Sequence, residues 1–241
     1  MSLKLVDEEM KGDSGIFLIN KPTGMTSHDV IDFLRKVTGE RTIGHAGTLD
    51  PAASGLLIVA VSREFTKKLN QYLKLDKEYI ASIELGKVST TYDSEGEIAD
   101  TALVVGRQQV QTPSQREIVS TIDKFLGNYK QLPPAFSAKK IRGKKAYELA
   151  RKGKDVDLKP VPVTIHTIEV LTYNYPNLQL RTRVSSGTYI RSLAHDIGQK
   201  LGTGAYLSAL QRTKIGEYDL SRALALTDIK SAEDLEKSRI E

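Results

Sequence analysis

The sequence predicts an α+β fold, a mixed, mainly antiparallel central sheet with flanking helices. Two observations predict it: strand-period and helix-period segments are interspersed throughout, and strands outnumber long helices. A third bounds its size: 241 residues, 39% hydrophobic and 27% charged, without a repeat or low-complexity block, can bury a large core. The expectation is one domain over 1–241 with a basic excursion at 127–160.

Gly15 to Asn20 reads as a short apolar strand. Thr26 or Ser27 can cap a helix whose apolar residues Val30, Phe33, Leu34 and Val37 recur at helical spacing, with Gly39 as its stop. Leu56 to Val61 is a compact apolar strand, and Phe65, Leu69, Tyr72 and Leu73 form another helical stripe. Tyr79, Ala81, Ile83 and Leu85 alternate with polar neighbours, the period of a half-buried strand. Ser114 and Glu117 make a capping box ahead of Ile118, Ile122, Phe125 and Leu126.

Gly127 to Pro160 holds Pro133-Pro134, Gly143, Gly153 and only a short helical pattern around Tyr147 to Arg151, which reads as an excursion from the body. Val161 to Tyr175 and Leu178 to Val184 read as paired strands. Thr188 can cap a helix that buries Ile190, Leu193, Ala194, Ile197 and Leu201. An apolar stretch from Tyr206 to Leu210, a strand through Ile215 and Tyr218, and a polar final helix complete the expectation.

Composition excludes several classes. There is no apolar run of about 18 residues, so no helical membrane span is expected. Met1 to Asp13 lacks the apolar segment of a secretory signal. Zero cysteines leave no disulfide, thiolate metal site or thiol nucleophile, which fits a reducing cytoplasm. The net charge of +5 is concentrated: Lys139 to Lys159 holds nine Lys/Arg against three acids, and the remainder is about neutral. Such a run suits a phosphate backbone, or equally a solvated lysine-rich loop.

The segment of most chemical interest is Gly44-His45-Ala46-Gly47-Thr48-Leu49-Asp50-Pro51-Ala52-Ala53-Ser54-Gly55-Leu56-Leu57. It joins a helix to a strand, its small residues allow close approach to a ligand, and Asp50 is its one carboxylate. An isolated Asp-Pro reads more simply as a turn; the whole segment asks for more.

Here the chain resembles the bacterial tRNA pseudouridine-55 synthases, the TruB family of pseudouridine synthases. Asn20-Lys21-Pro22-Thr23-Gly24-Met25-Thr26-Ser27 is similar to the family's N-terminal motif and Gly44 to Leu57 to its catalytic motif. Lys77-Glu78-Tyr79 matches the strand carrying its active-site tyrosine. Pro133 to Lys140, with Gly143 and Tyr147, resembles its RNA-binding insertion, and Ser186-Gly187-Thr188-Tyr189-Ile190-Arg191 its arginine motif. Five motifs in order are far more specific than any one.

The resemblance implies isomerisation of uridine 55 in the tRNA T-loop, with Asp50 as nucleophile or base after the uridine is flipped out. It implies no cofactor, metal or obligatory protein partner, and a cytoplasmic monomer that binds the T-arm of tRNA. Arg191 would pair with Asp50 and keep it ionised, although alone it reads as a surface ion pair at a helix start. Tyr79 would stack on the base and Leu210 pack its other side, where the pattern alone reads both as core. Lys21 and Tyr189 would support the pocket, and His45 would fill space left by flipped nucleotides, unless it is simply a satisfied loop histidine. Lys139, Lys140, Arg142, Lys144 and Lys145 would hold phosphates. The expectation most open to refutation is that Asp50, Tyr79, Arg191 and Leu210 meet in one pocket.

One departure stands out: bacterial members usually carry a small C-terminal RNA-binding domain, and residues 222–241 are too few for it. Two other readings compete. Archaeal and eukaryotic relatives share these motifs within guide-RNA complexes, and an RNA-binding module or chaperone would need no catalysis.

Overall fold

The computed structural model describes residues 14–104, 110–136, 140–141, 144–145 and 158–241, with only the backbone of 103, 104, 140, 141, 144 and 145. The expected helical pattern at Tyr147 to Arg151 lies outside them. The fold is α+β, with mixed and mainly antiparallel strand pairing. The chain forms two compact units, one from residues up to Lys74 plus Glu217–Glu241 and one from Leu75–Gly216. No helix among the described residues is long and apolar enough to cross a membrane.

The first unit opens with β1 (Gly15–Lys21), α1 (Ser27–Thr38), β2 (Ile43–Ala46) and β3 (Ala53–Val61). β3 pairs antiparallel with β1 and with β2. The register sets Phe17 opposite Val59 and Ile19 opposite Leu57, so these side chains share one face. Val30, Ile31 and Leu34 of α1 pack on that face, with Phe33 and Val37 at the margin of the cluster. Thr26 caps the helix in a reciprocal box with Asp29, and Gly39 ends it at φ 71° with its N–H on the Arg35 carbonyl. The stripe expected from Phe65 to Leu73 is instead two short helices, α2 (Arg63–Thr66) and α3 (Leu69–Leu73). The break comes where Lys68 N–H bonds to the Phe65 carbonyl, a tighter turn than an α-helix makes.

The second unit runs through β4 (Lys77–Leu85), β5 (Lys87–Ser89), β6 (Ile98–Asp100), α4 (Thr101–Val104), α5 (Gln115–Ile122) and β7 (Gly127–Gln131). It continues with β8 (Lys140–Ile141), β9 (Lys144–Lys145), β10 (Val161–Asn174), β11 (Asn177–Val184), α6 (Ile190–Leu201) and β12 (Ala205–Ile215). Its strands lie in the order β12-β4-β11-β10-β7. The expected alternation of β4 holds: Tyr79, Ala81, Ile83 and Leu85 are buried and the residues between them half-buried.

β7 pairs with β10 from Gly127 opposite Ile165 to Gln131 opposite Val161, so the excursion leaves the sheet only after Gln131. α6 begins one residue later than a Thr188 cap requires. Its N-cap is Tyr189, and the Thr188 hydroxyl donates to the Ser185 carbonyl instead. Tyr206 to Leu210 and the strand through Ile215 are one strand, β12, broken in register by two bulges.

The chain then returns to the first unit as β13 (Tyr218–Asp219) and β14 (Leu224–Ala225). β14 lies parallel to β1, which makes the pairing mixed. The expected final helix is a 3-10 stretch, Ala232–Ser238, with a single fully buried apolar anchor at Leu235. Ile16 exchanges backbone hydrogen bonds with Ile240 and Glu241, tying the described end of the chain to β1.

Candidate active site

In the first unit, Asp50 sits half-buried in the turn between β2 and β3. The turn has local causes: Gly47 takes φ 87°, a conformation glycine adopts without a Cβ penalty, and the Ala53 N–H closes on the Asp50 carbonyl at 3.0 Å. The N-terminal motif grips both neighbours of Asp50. The Ser27 hydroxyl accepts from the Leu49 N–H at 2.9 Å and lies 3.1 Å from the Leu49 carbonyl, to which it donates. The Gly24 N–H donates to the Pro51 carbonyl at 2.9 Å.

Lys21 braces that motif from within. It is fully buried, and its ammonium donates to the carbonyls of Pro22 at 2.8 Å and Met25 at 2.6 Å. His45, half-buried on β2, lies opposite Val59. The structure thus brings Lys21 and Asp50 into one hydrogen-bonded assembly by way of Met25, Gly24 and Pro51. Ser27, in the sequence a possible cap and the last residue of the N-terminal motif, joins it at Leu49.

In the second unit, the register of β4 and β12 sets Leu210 opposite Ala81 and Arg212 opposite Tyr79. Tyr79 and Leu210 are therefore diagonal neighbours on one face. Arg212 was missed. It is 1% exposed, among the largest fully buried side chains, and nothing in its local pattern (Gln211-Arg212-Thr213) distinguishes it from a surface arginine. Lys77, also buried, donates to the Leu75 carbonyl at 2.7 Å and sits 3.4 Å from the Ser186 hydroxyl. Burial, and then the nearby Arg212, pull its ammonium down to about 8.

Arg191 lies in the first turn of α6. Its guanidinium makes a buried ion pair with Asp93 at 3.1 Å and donates to the Phe136 carbonyl at 2.9 Å. Asp93 was not singled out from the sequence, where it sits in a polar loop of turn-forming residues; the positional signal is weak because its partner is 98 residues away. Its other carboxylate oxygen accepts from the Thr91 hydroxyl and the Glu95 N–H. Tyr189, half-buried, is held at both backbone groups by the buried Gln131: Oε1 accepts from its N–H at 2.8 Å and Nε2 donates to its carbonyl at 3.0 Å. One strand residue thus does for the arginine motif what Ser27 does for the aspartate turn.

Of the basic residues, Lys139 and Arg142 lie outside the described residues. In the backbone register of the β8–β9 pair, Lys140 is the partner of Lys145 and Lys144 of Ile141.

A family model described as TruB family pseudouridylate synthase (N terminal domain) matches residues 35–190, and one described as tRNA pseudouridylate synthase B C-terminal domain matches 191–240. The chain is similar to tRNA pseudouridine synthase B of Protochlamydia amoebophila, 46% identical over 226 residues that cover 94% of this chain and 83% of that protein. It is also similar to the protein of that name from Chlamydia pneumoniae, 43% identical and covering 87% and 86%. Among solved structures it is similar to a chain of a Cbf5-Nop10-Gar1 complex, with a TM-score of 0.68 and 29% identity. A chain in an H/ACA RNP bound to a substrate RNA gives 0.65 and 28%. The match covers 91% and 90% of this chain but spans only about half of those longer chains, 54% and 52%.

Proposed function

The chain belongs to the TruB family of pseudouridylate synthases, and from that premise we propose that it isomerises uridine 55 in the T-loop of tRNA to pseudouridine. The observation that carries the reading is the Asp50 turn. The Asp50 carboxylate stands on a backbone pinned at the residue before it by Ser27 and at the residue after it by Gly24. Preorganisation of that kind is what a nucleophile or base needs, because misplacement by about 1 Å can cost about 100-fold in rate.

In the reaction the bond between ribose C1′ and uracil N1 breaks, the base turns, and C1′ joins C5. The C5 proton leaves and N1 gains one, so atoms balance without a redox partner or group donor. Asp50 is the group that supports detachment and rejoining. Tyr79 and Leu210, diagonal neighbours on one sheet face, hold the base. Arg191 orients the acid chemistry from a guanidinium that Asp93 and the Phe136 carbonyl fix in place. Lys21 and Tyr189 support the pocket, and His45 fills space left by flipped nucleotides.

The T-arm is held through phosphates by Lys139, Lys140, Arg142, Lys144 and Lys145, and flipping the uridine costs a few kcal/mol that these contacts offset. The enzyme acts as a monomer in the cytoplasm, as one catalytic domain and without an obligatory protein partner. The higher identity to the Protochlamydia amoebophila protein, 46% against 29% for the chain of the Cbf5-Nop10-Gar1 complex, favours this over a guide-RNA assembly.

The test is tritium release from unmodified tRNA labelled at uracil C5, with wild type and Asp50→Asn. Release by the wild type alone is expected. Equal release by both would remove Asp50 from the chemistry, and tight tRNA binding without release by either would favour a binding module.

A further inference from the structure

One helix, α6, grips two consecutive residues of the loop between β5 and β6. Arg191 binds the Asp93 carboxylate. One turn further along, at i+4, His195 stacks on the ring of Tyr92 with centroids 3.9 Å apart and planes 16° from parallel. Tyr92 has φ 67°, one of only two non-glycine residues with positive φ among the described residues. That conformation is disfavoured for a bulky side chain and persists where surrounding contacts over-determine it.

The Tyr92 N–H closes a turn on the Ser89 carbonyl at 3.2 Å, and its own carbonyl accepts from the Leu207 N–H of β12 at 2.9 Å. Its ring is clamped by His195. The left-handed turn at Tyr92 is what presents the next residue, Asp93, to Arg191. Burial also lowers the affinity of His195 for a proton, against the smaller opposing effect of Asp196, and its Nδ1 has no hydrogen-bond partner among the described residues. Burial thus favours the neutral ring, which suits flat stacking on Tyr92.

We propose that Tyr92 and His195 are positioning residues for the isomerisation: their stack holds the strained turn that delivers the Asp93 carboxylate to Arg191. The inference rests on the reading of Arg191 given above. The stack gives the loop a grip independent of the ion pair, so that Asp93 is in place before substrate arrives. Gly96 closes the same loop, where a Cβ would come within 2.5–2.7 Å of the hydroxyls of Ser89, Thr91 and Thr90, so the turn is packed tightly around its own polar groups.

The experiment is single-turnover tritium release with enzyme in excess over tRNA, beside tRNA affinity by filter binding. His195→Ala and Tyr92→Ala are expected to slow release by about tenfold or more while Kd stays within about twofold, the pattern of an interaction used in the transition state rather than in binding. His195→Phe and Tyr92→Phe keep a ring and are expected to stay within about threefold of wild type. Tyr92→Gly, which relieves the backbone but removes the ring, is expected to behave like Tyr92→Ala.

In an Asp93→Asn background, His195→Ala is expected to add no further loss, because both changes act through one carboxylate. Wild-type rates for His195→Ala, full activity of Tyr92→Gly, or multiplicative losses in the double variant would each overturn the proposal while wild-type release leaves the functional reading standing. No release by the wild type would sink that reading, and the proposal with it. Circular dichroism and urea midpoints of the Phe variants keep the test readable if an Ala variant unfolds.

Discussion

Ser27→Ala tests whether the N-terminal motif holds the catalytic turn. Ser27 is 2% exposed and Leu49 3%, and one hydroxyl partners both backbone groups of Leu49. Removing it strands a buried N–H and a buried carbonyl, each worth about 1–3 kcal/mol, so the expected loss of stability is about 2–6 kcal/mol. That is a large share of the roughly 5–15 kcal/mol that holds a domain together. Thr26→Ala is the internal control: it removes an exposed helix cap one residue away, at about 1 kcal/mol. Urea titrations followed by circular dichroism give both values, and tritium release under conditions where each variant is folded gives the rate. Because Leu49 precedes Asp50, the Ser27 variant is expected to lose about tenfold or more in rate, and the Thr26 variant little. A Ser27→Ala loss no greater than that of Thr26→Ala, with the rate unchanged, would refute the idea that this hydroxyl positions the turn.

Gln131→Glu replaces the amide that donates to the Tyr189 carbonyl with a second acceptor at a fully buried site; a loss of about 3 kcal/mol or more is expected in urea unfolding, against less for Gln131→Ala. Lys77 gives a pH signature. Its ammonium falls from 10.5 to about 8 on folding, so between those values the unfolded chain binds more protons and wild-type stability rises with pH. Relative to Lys77→Met, wild type should gain up to about 3 kcal/mol between pH 7 and 10.5, read as the difference in urea midpoints at the two ends. Gly198→Ala puts a Cβ 2.3 Å from the Ala205 nitrogen and 2.4 Å from the Gly204 carbonyl carbon, both backbone, so a loss of about 3 kcal/mol or more is expected. Gly44→Ala meets the movable Leu69 Cδ1 at 2.9 Å and should cost about 1 kcal/mol or less by the same unfolding measurement.

How far the sequence could be read depended on the distance over which each feature is determined. The α1 boundaries were legible because Thr26, Asp29 and Gly39 act within a few residues of themselves. The alternation of β4 was legible because a strand with one buried face writes its period into the chain. Two kinds of feature were not. Short apolar stripes such as Phe65 to Leu73 have the helical period but not the length to nucleate one helix, and the bulges that make β12 a single strand leave no local signal.

The second kind is the support of the site. Asp50, Arg191 and Tyr79 could be named from motifs, whereas Ser27 as a clamp, Gln131, Asp93 and Arg212 could not. Each acts across 22 to 98 residues of chain on a partner that the fold alone supplies, or, for Arg212, through burial on a strand whose register is bulged. Reactive groups must be of particular types in particular local settings, so they leave motifs. The residues that aim them need only reach the right backbone atom, and a serine, a glutamine or an aspartate in a polar loop looks like any other until the partner strand is in place. The clamps on Leu49 and on Tyr189 are therefore where substitutions should separate folding from chemistry most clearly: each touches the backbone beside or near a motif residue and leaves that residue's own side chain intact.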